Sequence, residues 1–219
     1  GVYFTHRQLV LHTFAVVTSL GALDGNRIMG NGDVYMPITP MFHVHAWGMP
    51  FAATMLGLKQ VYPGRYDPEL LVDLWHKEKV TFSHCVPTIL QMVLNAKAAQ
   101  GVDFNGWKLI IGGSALNRSL FLNAKERGMH LSTAYGMSET GPIISGAYLN
   151  DQALAGSEDQ RTSSLLKAGV PVPLVQARIL DAEGKSLPHD GHAQGELVLR
   201  APWLTMAYFN EPQKSAELW

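Results

Sequence analysis

Val80-Thr81-Phe82-Ser83-His84-Cys85-Val86, Lys108-Leu109-Ile110-Ile111 and His130-Leu131-Ser132-Thr133-Ala134 decide the fold, because each is a short β-favouring run with a helix signal beside it. Pro87 follows the first run and opens a helix through Ala99, where its fixed φ and missing N–H do no harm. Gly112-Gly113 closes the second run, and Asn117 then stands where it can cap a helix to Arg127. Upstream the same rhythm recurs. Val34 to Met36 and Lys59 to Tyr62 read as strands, Val44 to Leu56 as an apolar helix, and Asp67-Pro68 as a helix start with Leu70, Leu71, Leu74 and Trp75 on one face. Four repetitions of strand then helix in about 100 residues predict an α/β fold, a mainly parallel sheet with helices on both faces, joined by right-handed crossovers.

Working outward, Thr5 and Gln8 form a capping-box pattern for a helix to about Gly21, and Asp24 to Asp33 reads as a turn-rich stretch. After Gly146 the pattern changes. Asp151 to Ser164 is polar and reads as a loop, while Leu174 to Leu180 and Glu196 to Leu199 read as strands around the turn Asp181-Ala182-Glu183-Gly184. The expected division is an α/β unit over 1–150 and, over 151–219, a linker with the start of a smaller, β-rich, barrel-like part.

Composition sets limits. The 219 residues carry a formal net charge of −1 with 16% charged and 47% hydrophobic residues, which gives no basic surface for nucleic acid. One cysteine, Cys85, precludes an internal disulfide and fits a reducing compartment, with a buried inert thiol as the plain reading. The apolar stretch Leu9 to Leu20 is broken by His12, Thr13, Thr18 and Ser19 and is shorter than the roughly 18 residues of a membrane span. The opening Gly1-Val2-Tyr3 has no signal-peptide pattern and reads as the start of an excised piece of a longer polypeptide.

The chemistry concentrates at Tyr135-Gly136-Met137-Ser138-Glu139-Thr140-Gly141-Pro142, immediately after a strand, where open parallel sheets bind ligands. Glu139 is the candidate magnesium contact, since Mg²⁺ commonly takes one or two carboxylates plus substrate phosphates. Ser138 and Thr140 can donate to phosphate oxygens, Gly136 admits close backbone approach, and Tyr135 offers a flat face to a base. A polar loop with no ligand would have the same composition. Gly112-Gly113-Ser114-Ala115 ends a neighbouring strand, and two glycine-bearing strand ends can form a slot for a planar ring. It is not a nucleophile elbow, because Leu116 stands where that motif needs glycine. Gly184-Lys185-Ser186 is a turn rather than a phosphate loop, with Ile179 in the required glycine position. His43-Val44-His45 lacks a third ligand at zinc-like spacing, and His43 reads instead as a polar group facing a pocket.

Taken together, these segments resemble the adenylate-forming enzyme superfamily, in its fatty-acyl-CoA synthetase (AMP-forming) branch, over essentially the whole chain. The resemblance rests on Pro40-Met41-Phe42-His43 with Trp47-Gly48, on Gly112 to Ala115, on Tyr135 to Thr140, on Gly169-Val170-Pro171, and on Gly195-Glu196-Leu197 with Arg200-Ala201-Pro202 and Tyr208. It implies a two-step ligase: a carboxylate attacks the α-phosphate of ATP to give acyl-AMP and pyrophosphate, and coenzyme A thiol then displaces AMP. Residues 1–150 would be the nucleotide- and acyl-binding part. Gly113, Ser114, Ala115, Tyr135, Gly136, Met137 and Ser138 would bind nucleotide, with Ser138 and Glu139 catalytic and Glu139 holding Mg²⁺. His43, Trp47 and Gly113 would meet a medium- or long-chain fatty acid, Trp47 as a gate one helical turn from His43.

Four positions depart from the pattern: Ser138 stands where threonine is usual, Thr133 where glutamine is frequent, and Ala201 and Ala207 where glycine is common. The resemblance further implies that the phosphate loop precedes Gly1 and the catalytic lysine follows Trp219, so the isolated chain is expected to be inactive. It is compatible with a cytoplasmic protein, peripheral membrane contact and a homo-oligomer. A non-catalytic nucleotide- or acyl-binding module and a carrier-dependent adenylation domain remain alternatives.

Overall fold

The computed structural model describes residues 1–21 and 28–218; the Asp24 to Arg27 part of the turn-rich stretch lies outside them. In chain order the elements are α1 (His6–Gly21), β1 (Val34–Pro37), α2 (Val44–Trp47), α3 (Met49–Met55), β2 (Lys59–Gln60), α4 (Pro68–Glu78), β3 (Phe82–Cys85), α5 (Pro87–Asn95), β4 (Lys108–Ile111), α6 (Arg118–Glu126), β5 (His130–Gly136), β6 (Ile143–Gly146), α7 (Asp151–Ala155), α8 (Glu158–Leu165), β7 (Val170–Pro171), β8 (Gln176–Leu180), β9 (Glu196–Arg200) and α9 (Pro212–Leu218). The local signals act as expected. Thr5 and Gln8 exchange capping bonds, with Gln8 Oε1 accepting from Thr5 N–H at 2.7 Å. Asp67 accepts from Glu69 N–H ahead of Pro68, and Asn117 from Leu120 N–H at 2.8 Å.

Seven strands form one sheet in the order β2-β1-β3-β4-β5-β6-β7. The strands from β2 across to β5 pair in parallel, whereas β6 runs antiparallel to β5 and β7 antiparallel to β6. β8 and β9 make a separate antiparallel pair, and no barrel closes among the described residues. Alternation along the central strands sends side chains to two cores. Met36, Cys85, Leu109 and Ile111 face α4, α5 and α6, while Tyr35, Phe82 and Ile110 face α1 and α3. The sheet therefore has helices on both faces.

Three readings need correction. Asp151 to Ser164 is helical, not a loop: Asn150 caps α7 by accepting from Ala153 N–H, and Ser157 with Gln160 forms a capping box for α8. These caps outweigh a polar composition, because they satisfy the N–H groups a short helix leaves open. Val44 to Leu56 is not one helix. Val44, His45, Ala46 and Trp47 all take left-handed φ, between 47° and 59°, and a right-handed helix begins only at Met49, after Gly48 at φ 73°. Lastly, β5 continues through Tyr135 and Gly136, so the signature run begins inside the strand rather than after it.

Burial leaves two imidazoles neutral. It pulls His12 down to about 4, with the Ile143 backbone partly opposing, and His84 down to about 3. The unfolded chain takes up these protons below about pH 6.5, so their contribution to stability is complete above that value and is lost on acidification. Denaturant midpoints are expected to fall between about pH 7 and 5, and replacing His84 with Phe is expected to flatten that dependence. An unchanged profile in the variant would show that His84 is not buried neutral. Cys85 is buried too, and burial pushes its thiol up to about 12, which makes it inert.

Candidate active site

Where β4 and β5 end, on the side of the sheet facing α2, a cleft of about 300 Å³ is lined by His43, Trp47, Gly112, Gly113, Tyr135, Gly136, Met137, Ser138, Glu139 and Pro142 among others. Eight of the ten candidate residues thus converge on one cavity from three separate sequence segments: His43, Trp47, Gly113, Tyr135, Gly136, Met137, Ser138 and Glu139. Ser114 and Ala115 are exposed on the loop that follows and do not line it.

Each wall has a local cause. Ser138–Thr140 is a single 3₁₀ turn, tied down by Thr140, whose Oγ1 accepts from Met137 N–H at 2.9 Å and also lies against the Met137 and Pro142 carbonyls. Thr140 is buried, so its hydroxyl serves the loop and does not reach a phosphate. Trp203 braces the same turn by donating from Nε1 to the Thr140 carbonyl at 2.9 Å. Glu139 is left half-buried at the cleft, and the Tyr208 hydroxyl donates to its Oε1 at 2.7 Å. That bond to the carboxylate is the main reason the Tyr208 hydroxyl is raised above its ordinary value. Tyr208 belongs to the motifs of the resemblance but not to the predicted site; it lies 69 residues from Glu139, and no local pattern marks the pairing.

The opening segment arrives at the same place. Val2 bridges Tyr208, Phe209 N–H donates to the Gly1 carbonyl at 2.7 Å, and Thr205 Oγ1 donates to the Tyr3 carbonyl. Residues 1–3 therefore lie beside the tyrosine that holds Glu139.

The ring packed against the Gly112 backbone is the protein's own, that of Trp47. A Cβ on Gly112 would stand 3.2 Å from the Trp47 ring and 2.9 Å from the Ala134 carbonyl oxygen. Trp47 packs there, only 5% exposed, with its ring 5.0 Å from that of His84. His43 and Trp47 share the cleft, but through the left-handed turn and not through an i, i+4 helical face. Thr133 points away from the cleft: its hydroxyl donates to the Leu165 and Lys167 carbonyls at the end of α8. It gives no counterpart to an amide reaching toward a base.

Among the described residues no cluster of three or more His, Cys, Asp or Glu could cage a metal, so Glu139 is the lone carboxylate the cleft offers. A single oxygen donor fits Mg²⁺ delivered with phosphates, which keeps most of its other ligands as water and phosphate oxygen. It would not suit zinc, which wants nitrogen or sulfur ligands in a closed tetrahedron.

A mainly parallel sheet with glycine and hydroxyl loops around a cleft at its strand ends, and one carboxylate in that cleft, defines an α/β protein with a ligand-sized cleft where such sheets bind their ligands. More particularly, the chain belongs to the AMP-binding enzyme family, whose sequence profile matches residues 1–209. It is 38% identical over 215 residues to a long-chain-fatty-acid–CoA ligase of Thermus thermophilus, covering 97% of this chain and 39% of that relative. It is 32% identical to a medium-chain-fatty-acid–CoA ligase of Ectopseudomonas oleovorans, covering 96% of this chain and 38% of the relative. The chain thus spans about two fifths of the length of the curated relatives it matches. In fold it superimposes over its full length on 51% of the N-terminal domain of FACL13 from Mycobacterium tuberculosis, with a TM-score of 0.83 at 20% identity. Among the described residues no helix is long and apolar enough to cross a membrane.

Proposed function

We propose that these 219 residues are the central portion of an ATP-dependent fatty-acid–CoA ligase, and that the cleft is where acyl-adenylate forms. The observation that carries the reading is Glu139, held by Tyr208 at the edge of a cleft whose lining also includes glycine backbone, the Tyr135 and Trp47 rings and Ser138. The sequence relatives, named for ligation of medium- and long-chain acids, support the substrate class.

In this reading Tyr135 and the Gly112-Gly113 backbone flank the adenine, and Ser138 donates its hydroxyl to a phosphate oxygen. Glu139 would hold Mg²⁺, which when bound neutralises phosphate charge as the α-phosphorus is attacked. Tyr208 positions the Glu139 carboxylate by binding one of its oxygens. His43 and Trp47 meet the acyl chain, and the cleft holds the carboxylate in line with phosphorus, which is most of what such a transfer asks of a protein.

The test is acid-dependent ATP–pyrophosphate exchange by the full-length protein, followed by acyl-CoA formation. Exchange with medium- or long-chain acids that needs Mg²⁺ is the expected result; exchange with no acid of any length would reject the assignment. A product appearing on a protein thiol and never on coenzyme A would favour a carrier-dependent adenylation domain.

Trp47 is expected to govern acyl length. Its ring touches both the cleft and the interior, so Trp47→Phe shortens the barrier between them while keeping an aromatic packing group. The variant should fold and should shift the ratio of kcat/KM between long and short acids. A uniform loss across all acids would make Trp47 a packing residue alone.

A further inference from the structure

A second cavity of about 300 Å³, the size of the cleft, opens at the opposite end of β4 and β5. Lys108 and His130, the first residues of those strands, pair in register and both line it. The cleft lies where the same strands end, so the seven residues of β5 put roughly 20 Å between the two. The two cavities have no lining residue in common. Around the second one stand α6, α8 and the segment 147–149.

Its lining is divided by chemistry. Phe121, Met129 and Leu131 are buried and Leu165 is half-buried, which gives an apolar wall. Lys108, Lys125, His130 and Arg161 stand on the polar side, and no Asp or Glu lines the cavity. Two of these cations are already balanced, since Lys108 pairs with Asp33 at 2.7 Å and Lys125 with Glu158 at 2.8 Å. Arg161 differs: among the described residues it makes no ion pair, and its guanidinium gives one hydrogen bond, from Nη1 to the Leu154 carbonyl at 3.1 Å. Glu158 feels Arg161 too, but less than it feels Lys125. The cavity thus joins an apolar wall to one cation without a counter-charge.

We propose that this cavity is a second ligand site, separate from the cleft, and that it takes a medium-length aliphatic carboxylate with its chain on the apolar wall and its head on Arg161. The charges set the head group: with both lysines paired, one cation is left, and one negative charge balances it. A guanidinium presents its N–H groups as a planar fork that matches a carboxylate, and a charge-assisted bond of this kind is about twice as strong as a neutral one. The wall sets the tail, since each methylene taken out of water tightens binding about fourfold. An uncharged chain would leave Arg161 without its counter-charge, and a small anion would leave the wall bare. The site stands apart from the ligase reading and needs no turnover to be seen.

The test is photolabelling of the full-length protein with an octanoate analogue carrying a diazirine at the far end of its chain, followed by digestion and mass spectrometry. Adducts are expected on residues 121–131 and 147–165, whatever is found at the cleft residues 43–47 and 135–139. Octanoate should compete for the first set about tenfold better than octanol, which has the chain without the charge, and better still than acetate, which has the charge without the chain. Arg161→Gln, which keeps an N–H donor but no charge, should cut that labelling by about tenfold and leave the cleft adducts as they were. Arg161→Lys, which keeps the charge, should retain most of it. Should Arg161→Gln fail to fold, the octanol comparison on the unaltered protein decides. Adducts confined to the cleft, octanol competing as well as octanoate, or full labelling in Arg161→Gln would overturn the proposal. Absence of ATP–pyrophosphate exchange would reject the ligase reading and leave this test as it stands.

Discussion

Glu139→Gln in the full-length protein is expected to reduce acyl-adenylate formation by roughly two to three orders of magnitude, the usual size of losing one electrostatic contact to a reacting centre. The substitution removes charge and almost nothing else. Its amide oxygen can still accept from the Tyr208 hydroxyl, so the bond that fixes the side chain is preserved, and the backbone carbonyl at 139 still accepts from Thr205 N–H. Thermal stability should therefore change little while the requirement for Mg²⁺ rises. Tyr208→Phe gives the complementary measurement: the charge remains but its orientation is freed, so the loss should be several-fold and not hundredfold. Normal exchange rates in Glu139→Gln at limiting Mg²⁺ would make Glu139 a loop residue and move the metal elsewhere.

The parallel half of the sheet is legible in the sequence because its signals are local. Lys108 to Ile111 is recognised by a run of β-favouring residues ended by glycines, and the helices on either side by Pro87 and Asn117. What escapes a local reading is whatever depends on a distant partner. β6 is four residues, Ile143–Gly146, and becomes a strand only because β5 lies beside it. β7 is shorter still and is defined by pairing with β6. The left-handed turn at Val44 to Trp47 is hidden for a different reason: valine, alanine and tryptophan all favour ordinary helix or strand there, and the tertiary packing of the Trp47 ring overrides them. The Ser157-x-x-Gln160 box, by contrast, is present in the sequence as a local signal, and only the polar composition around it argues for a loop.

The candidate site divides along the same line. Tyr135 to Glu139 is picked out because its residue types suit a nucleotide and it lies at the end of a strand, and Gly112-Gly113 because it ends the next strand over. Their convergence on one cleft is a consequence of β4 and β5 being neighbours in register, Ile111 beside Thr133. Nothing local tells that Thr140 is occupied inside its own loop, that Tyr208 holds Glu139, or that His84 sits behind Trp47 with one nitrogen unpaired. The last two are contacts between segments far apart in the chain, and the first depends on how the loop folds back on itself.

Gly136→Ala is expected to be the most damaging single-methyl change in the site, costing more than about 4 kcal/mol of stability, beyond the range of ordinary substitutions. Composition suggests a glycine that admits a ligand, but the structure gives a more stringent reason for it. A Cβ at position 136 would stand 1.9 Å from the Pro142 carbonyl oxygen and 2.5 Å from its carbon, well inside van der Waals contact and against backbone that cannot rotate away. The strand β5 and the returning segment that becomes β6 approach so closely at this point that only hydrogen fits. Relief requires the 137–142 loop to move as a unit, and that loop carries Ser138 and Glu139. Gly112→Ala supplies the contrast, since its new methyl would stand 2.9 Å from the Ala134 carbonyl and 3.2 Å from the Trp47 ring, a milder conflict than the 1.9 Å approach at 136. Urea denaturation of the two variants should therefore rank Gly136→Ala well below Gly112→Ala, and only the first should lose Mg²⁺-dependent exchange outright. Near-equal stabilities would mean that the loop accommodates a methyl at 136, and that the glycine is there for the ligand after all.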